Sequence, residues 1–361
     1  MSCQRGGRES VMTPSRFFKI DGLNMKKPVL YLAQRIGFLC LLLWGIITIA
    51  FILTRALGTP VYLLVGQQAD KEIIESLIKS MGLDRPLYEQ YFRYFWSVLH
   101  GNLGISRYTF RPVTQELSQR LPATLELVLA AMILITIIGI LLGISAAVYN
   151  NTLFDRCVQA FCQFGASVPL FWLGLILIYI FFYLFKLAPA PLGRIRPGLS
   201  LPKTITGFLL VDAVLLGDRE CFLAALKQIM LPAVTLALGS LPATIRIVYL
   251  TILDILNTPY INTARAYSIP RWRILFVYAL RNALVPISTV LAMTFGYLLS
   301  NTVFVEAVFA WPGIGNYAIT AMYTMDYDPI IAVTIVATLG YGLAYLLNDI
   351  FALIVDPRVR R

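Results

Sequence analysis

Six stretches of this chain run for about 17–23 residues without a charge: Ile36–Thr54, Leu127–Val148, Phe164–Phe185, Ile229–Ile245, Ala283–Val305 and Ile330–Leu347. About 20 apolar residues suffice to cross the hydrocarbon core of a bilayer as a helix. Lipid offers backbone amides no hydrogen-bond partner, so runs of this length read as helices rather than open strands. The pattern predicts an all-α membrane protein with six transmembrane helices. Pro232 and Pro242 interrupt the fourth run, which is expected to continue past Arg246 to Leu253. Composition agrees, with 14% charged residues where a soluble domain carries about a quarter. The first run is too long for a signal peptide, and no small-residue cleavage site closes it. Residues 1–24 are polar and patternless. Met25 opens MKKPVLYLAQRIGF, a natural start for a membrane protein, so the preceding residues read as a disordered tail or as sequence ahead of the true start.

A net charge of +11 invites a nucleic-acid partner, but the charges follow topology instead. Seven basic residues precede the first span: Arg5, Arg8, Arg16, Lys19, Lys26, Lys27 and Arg35. Basic residues stay on the cytoplasmic side of short loops. The N-terminus is therefore expected inside, and six spans return the C-terminus, with Arg358, Arg360 and Arg361, to the same side. The loop between spans four and five, also inside, carries Arg265, Arg271, Arg273 and Arg281, whereas Glu306–Asp328 outside has no Lys or Arg. The outer segment Lys186–Lys227 holds six basic residues, which long translocated loops tolerate. Of five cysteines only Cys221 falls outside, so no disulfide framework follows. Cys157 and Cys162 lack a neighbouring histidine, and His100 stands alone, so no metal site is expected.

The outer segment between the first two spans carries helical patterns. In DKEIIESLIKSM, Asp70–Met81, the apolar residues fall at helical spacing, with Gly82 placed as a C-cap. Pro86 then opens PLYEQYFRYFWSVL, whose aromatic density suits the membrane interface. This segment reads both as a cap over the spans and as a docking platform for an outer-face partner.

Enzymatic signatures are missing. The chain has no G-x-x-x-x-G-K-[ST] phosphate loop, no G-x-S-x-G elbow and no H-E-x-x-H helix. A secondary transporter is expected to carry an ionisable group deep in a span. Here Glu126, Glu306 and Asp349 lie near span ends, and Arg246 is the deepest charge. The economical reading is a transport pathway whose energy comes from another chain. A proton-coupled secondary transporter and a non-transporting scaffold are the alternatives.

The basic loop beginning at Thr258 suggests what that other chain touches. Thr258 and Pro259 form a helix start, a hydroxyl N-cap followed by proline at the first helical position. Thr263, Ala264 and Ala266 give the short helix Tyr260–Tyr267 a small-residue face able to approach another protein closely, and Ser268, Ile269 and Pro270 end it. An interfacial amphipathic helix is the plainer reading.

The stretches TARA (263–266) and RNALVP (281–286) resemble the cytoplasmic signature loop of binding-protein-dependent ABC transporter permeases, nearest to the peptide/nickel importer subfamily. GLDRP (82–86), LPATLEL (121–127), SVPLFWLG (167–174), FAWPGIG (309–315) and DPR (356–358) resemble further stretches of that family, over roughly 28–361. The resemblance implies a type I importer permease fold with an extracytoplasmic helical insertion between helices 1 and 2. It divides the chain into a tail (1–28), a first helix (29–57), the outer insertion (58–121), a five-helix core (122–355) with coupling loop 256–282, and a tail (356–361). It implies a multi-pass protein of the bacterial inner membrane that works by alternating access. Its partners would be a second permease, two cytoplasmic ATPase subunits holding ATP and Mg, and an extracytoplasmic substrate-binding protein. The coupling residues would be Tyr260, Thr263, Ala264, Arg265, Ala266 and Ser268. Ser268 replaces the family's glycine, and serine lacks glycine's free access to positive φ, so the turn is expected to be reshaped. Glu306, Trp311, Pro312 and Gly313 are read as an outer gate, against a structural loop packed on neighbouring spans. The substrate stays open among dipeptides, oligopeptides, glutathione, nickel and metal chelates, and LDRPLYEQY and FAWPGIG look slightly like nickel permeases.

Overall fold

The computed structural model describes residues 26–56 and 84–355, apart from 197 and 199–202, together with Glu72, Ser76 and Lys79. Those three isolated positions are helical. The rest of the helix expected over 70–81, its Gly82 cap, the tail before 25 and the terminal stretch from 356 lie outside the described residues.

Among the described residues the regular structure is helical, save one isolated bridge between Ile105 and Pro112. The helices are α1 (Lys26–Ala56), α2 (Leu87–Leu99), α3 (Val113–Val148), α4 (Leu153–Gly165), α5 (Leu170–Leu184), α6 (Leu209–Leu215), α7 (Arg219–Leu256), α8 (Pro259–Ala266), α9 (Arg271–Val308), α10 (Ile314–Tyr323) and α11 (Tyr327–Val355). Five of them, α1, α3, α7, α9 and α11, are long and apolar enough to cross a membrane. Proline inside α3, α7 and α9 does not end them. Helices packed among others tolerate proline because neighbouring groups satisfy the freed carbonyl. The fourth run extends past Arg246, as its pattern predicts, and reaches Leu256.

The third run departs from expectation. It is broken, and α4 and α5 meet at a 109° bend. Pro169 causes the break: it has no N–H to give and pushes the preceding Val168 out of helical geometry. Beyond it, α5 has 8 α-helical residues followed by 7 in a wider π-helix. At about 1.5 Å per residue this is shorter than a full crossing. Six spans are reached only when this bent pair is counted as one. Helix α3 starts at Val113 and runs without a break through position 122, where the core is expected to begin.

Helices α3 and α7 share the most extensive interface, and α9 packs between α7 and α11. Leu127, Ile135, Leu236, Ile245 and Leu298 form the centre of the bundle. The outer faces remain apolar: Leu129, Ile133, Ile137 and Leu141 make an exposed stripe along α3. A stripe with four-residue spacing lies on one helix face. The helix α1 stands at the edge, tied to α11 by an Arg35–Asp349 ion pair of 3.0 Å. Between α9 and α11 the ring of Tyr341 lies on Gly296, where any side chain would collide with it.

Candidate functional site

The two ends of the bundle carry the two clusters singled out in the sequence. At one end α7 stops at Leu256, and the hydroxyl of Thr258 donates back to the carbonyl of Ile255. Thr258 is the N-cap of α8, but its hydroxyl does not cap the new helix, and Pro259 occupies the first helical position. Ile261 and Ala264 are buried, packed with Val248, Ile252, Ile274, Ala279 and Ile287 from α7 and α9. Ala264 therefore faces the chain's own core. Its small size lets α8 sit close to α7 and α9, and it is not on the face open to a partner. That open face carries Tyr260, Asn262, Thr263, Arg265 and Ala266.

The end of α8 is a left-handed cap. Ile269 N–H donates to the carbonyl of Ala264 at 3.2 Å, and Ser268 N–H to that of Arg265 at 2.9 Å. This pair of bonds needs a positive φ at the residue after the C-cap, and Ser268 adopts φ +54°. The expected reshaping does not occur. Serine takes the glycine conformation, at a steric cost of about 1–2 kcal/mol. Asn282 adds a link that the site reading missed: its amide donates to the Tyr260 hydroxyl at 3.0 Å and to the Tyr278 carbonyl at 2.9 Å. The two residues lie 22 positions apart, so only the RNALVP motif pointed to it. The connection between α7 and α9 is only 257–270, because Arg271 already opens α9.

At the opposite end the expected gate residues come together, with Glu306, Trp311 and Gly313 buried inside the fold and Pro312 exposed. Glu306 is 0% exposed and Trp311 1%. The hydroxyl of Thr124 donates to Glu306 Oε1 at 2.6 Å, and the amide of Asn316 to Oε2 at 2.9 Å. Thr124 also accepts from the Ile314 amide at 2.9 Å. Trp311 Nε1 donates to the Ala123 carbonyl at 2.9 Å. Gly313 is extended, and it is needed for space: a Cβ there would run into the Glu306 carboxylate and the Thr124 hydroxyl. These contacts rivet α3, α9 and α10 together around a carboxylate held by hydroxyl and amide donors.

A second fastening at this end had no signal in the sequence. Asp326 Oδ2 accepts from Ser106 Oγ at 2.7 Å and from the Arg107 amide at 2.8 Å. It holds the turn before α3 against the junction of α10 and α11. Arg120 lies over the ring of Tyr317, 4.9 Å from its centre.

A cavity of about 780 Å³ lies between α3, α9 and α11 and is apolar apart from Ser288 and Asn348. It offers no charged group to a hydrophilic cargo. Among the described residues no three His, Cys, Asp or Glu side chains cluster as metal ligands do.

Two family models match. "Binding-prot-dependent transport system membrane comp, N-term" covers residues 29–128, and "Binding-protein-dependent transport system inner membrane component" covers 139–361. The chain is 41% identical over 331 residues to the probable D,D-dipeptide transport system permease protein of Escherichia coli (strain K12), covering 91% of this chain and 97% of that protein. It is 35% identical over 336 residues to the dipeptide transport system permease protein of the same strain, covering 91% and 98%. The glutathione transport system permease protein of Escherichia coli O6:H1 is 30% identical over 332 residues, covering 91% and 98%.

Proposed function

The chain belongs to the family of binding-protein-dependent transport system inner membrane components, and from that premise we propose that it is the membrane-spanning subunit of an ATP-driven importer of short peptides. The α8 end faces the cytoplasm and the Glu306 end faces outward, as the basic loop between α7 and α9 requires. A second, related permease completes the pathway, two ATPase subunits bind ATP and Mg beneath it, and an extracytoplasmic binding protein delivers the cargo. The three relatives named above carry dipeptide or glutathione transport in their names, which favours a peptide over nickel or a metal chelate.

The observation that carries the coupling reading is the two-sided character of α8. Its buried side is fixed to both α7 and α9 through Ile261 and Ala264. Its exposed side presents Tyr260, Thr263, Arg265 and Ala266, and among the described residues Arg265 has no carboxylate partner. A push on the exposed side is transmitted to two membrane helices at once. ATP binding closes the ATPase dimer, the α8 helices move with it, and the pathway opens outward. This requires the ATPase to contact α8 differently in its two states. The Glu306 rivet sets the form of the outer mouth, with Trp311 and Gly313 packed behind it and Pro312 exposed.

The test pairs two measurements on Arg265→Glu and Tyr260→Ala: capture of the ATPase subunits from detergent extracts, and uptake of a labelled dipeptide by cells lacking the native copy. Both variants are expected to insert normally, lose ATPase capture and stop uptake. Wild-type capture and uptake in both would remove α8 from the mechanism. Uptake of labelled nickel but not dipeptide by the native chain would overturn the peptide assignment alone.

A further inference from the structure

Behind α8 lies a second cavity, of about 580 Å³, lined by Val148, Leu256, Arg265, Ile269, Arg271 and Ile274. Val148 ends α3, Leu256 ends α7, and Arg271 and Ile274 open α9. The cavity therefore sits where three membrane helices reach the aqueous boundary. Two arginines, Arg265 and Arg271, are among its lining residues, and none of those residues is acidic. The nearest recorded partner of Arg265 is the Asn262 side-chain oxygen at 3.4 Å. Among the described residues neither arginine forms an ion pair. Trp272, beside Arg271, is 62% exposed, as indoles at the headgroup level commonly are.

We propose that this cavity holds the headgroup of an anionic phospholipid, with the phosphate between Arg265 and Arg271 and the glycerol and upper acyl chain against Val148, Ile269 and Ile274. Guanidinium is suited to phosphate because it presents paired donors in one plane. Basic pockets between membrane helices recur as sites for such headgroups. A free phosphate would leave the apolar lining of Val148, Leu256, Ile269 and Ile274 uncovered, and so would an acidic protein side chain. The lipid would brace α8 from below and engage Arg265, leaving Tyr260, Asn262, Thr263 and Ala266 of the exposed face free. The proposal does not depend on the coupling role of α8, and Arg271, which lies outside α8, is the diagnostic residue.

The experiment uses the full-length chain in detergent, without ATPase subunits. Dioleoyl phosphatidylglycerol and dioleoyl phosphatidylcholine are titrated in competition, and the bound lipid is counted by native mass spectrometry. The native chain is expected to prefer phosphatidylglycerol by about fivefold for each arginine engaged. Arg271→Gln loses its share of that preference, and Arg271→Lys keeps most of it, which separates charge from folding. Arg281→Gln, outside the cavity, retains the full preference. Equal binding of the two lipids overturns the proposal, as does an equal loss in Arg281→Gln, which would mean diffuse surface charge. Complete displacement by inorganic phosphate would assign the cavity to a free anion instead. Absence of lipid preference in the native chain, together with loss of ATPase capture by Arg271→Gln in a separate pull-down with the ATPase subunits, would overturn the proposal in favour of an acidic protein partner.

Discussion

At one end of the bundle the carboxylate of Glu306 is wholly buried and met by Thr124 and Asn316. At the other end Arg265, Arg271, Arg273 and Arg281 stand at the surface, and among the described residues none has a carboxylate partner. A buried ionisable group with a hydrogen-bond donor on each oxygen fixes geometry and is costly to disturb. Exposed charges add little to stability and remain available to something outside the chain. The Glu306 end is thus built to keep its form, and the α8 end, in the proposed mechanism, to transmit force. Substitutions at the two ends should separate stability from assembly, and four of them break or sharpen that contrast.

The largest effect is expected from Glu306→Lys. It places an ammonium against the donors that now serve the carboxylate, and an unpaired buried charge of this kind costs about 4 kcal/mol or more. The yield of monodisperse chain from detergent should collapse, and uptake with it. A stable variant that had lost only transport would mean that Glu306 acts as an exposed gate after all. Ala264→Trp comes next. Its ring would have to enter the packed junction of α8 with α7 and α9, and overpacking of this sort costs about 1–3 kcal/mol. A lowered melting temperature in the isolated chain, before any ATPase is added, would mark the damage as internal. An unchanged melt would mean that α8 swings outward and exposes Ala264.

Ser268→Gly should act in the opposite direction. Relief of the left-handed strain at Ser268 is worth about 1–2 kcal/mol, partly offset by glycine's greater freedom in the unfolded chain. A small rise in melting temperature is expected with transport preserved, and a fall would show that the Ser268 hydroxyl is holding something. The smallest effect on stability belongs to Arg265→Glu. A surface substitution of this kind stays within about 0.5 kcal/mol, so its melt should match the native chain while ATPase capture is lost. If the melt fell by as much as for Ala264→Trp, the exposed and buried sides of α8 would not differ as described.

Much of this was readable in the residues. The charge-free runs are local features, and their length gives helix number and spanning character directly. The TARA and RNALVP stretches marked the loop that became α8 and the residue, Asn282, that steadies it. What misled was the assumption that a small-residue face points outward. Thr263, Ala264 and Ala266 are close in sequence, yet Ala264 turns inward while its neighbours stay exposed. Helical geometry sets the angle between them. Only the position of α7 and α9 decides which angle is covered. Pro169 was likewise visible within its apolar run, but an unbroken absence of charge hid the bend.

By itself the sequence determined a helical membrane protein, its basic loop and the family signature, because each of these depends on composition or on spacing within a few turns of chain. The tertiary structure alone decided that Glu306 is a rivet. Its partner Thr124 is 182 residues away, and Ser106 and Asp326 are separated by 220. No local pattern encodes such pairs, because a hydroxyl on one helix looks the same whether it faces lipid, solvent or a carboxylate. Burial makes the difference: once α3, α9 and α10 exclude other partners, each polar group must find the other or remain unsatisfied.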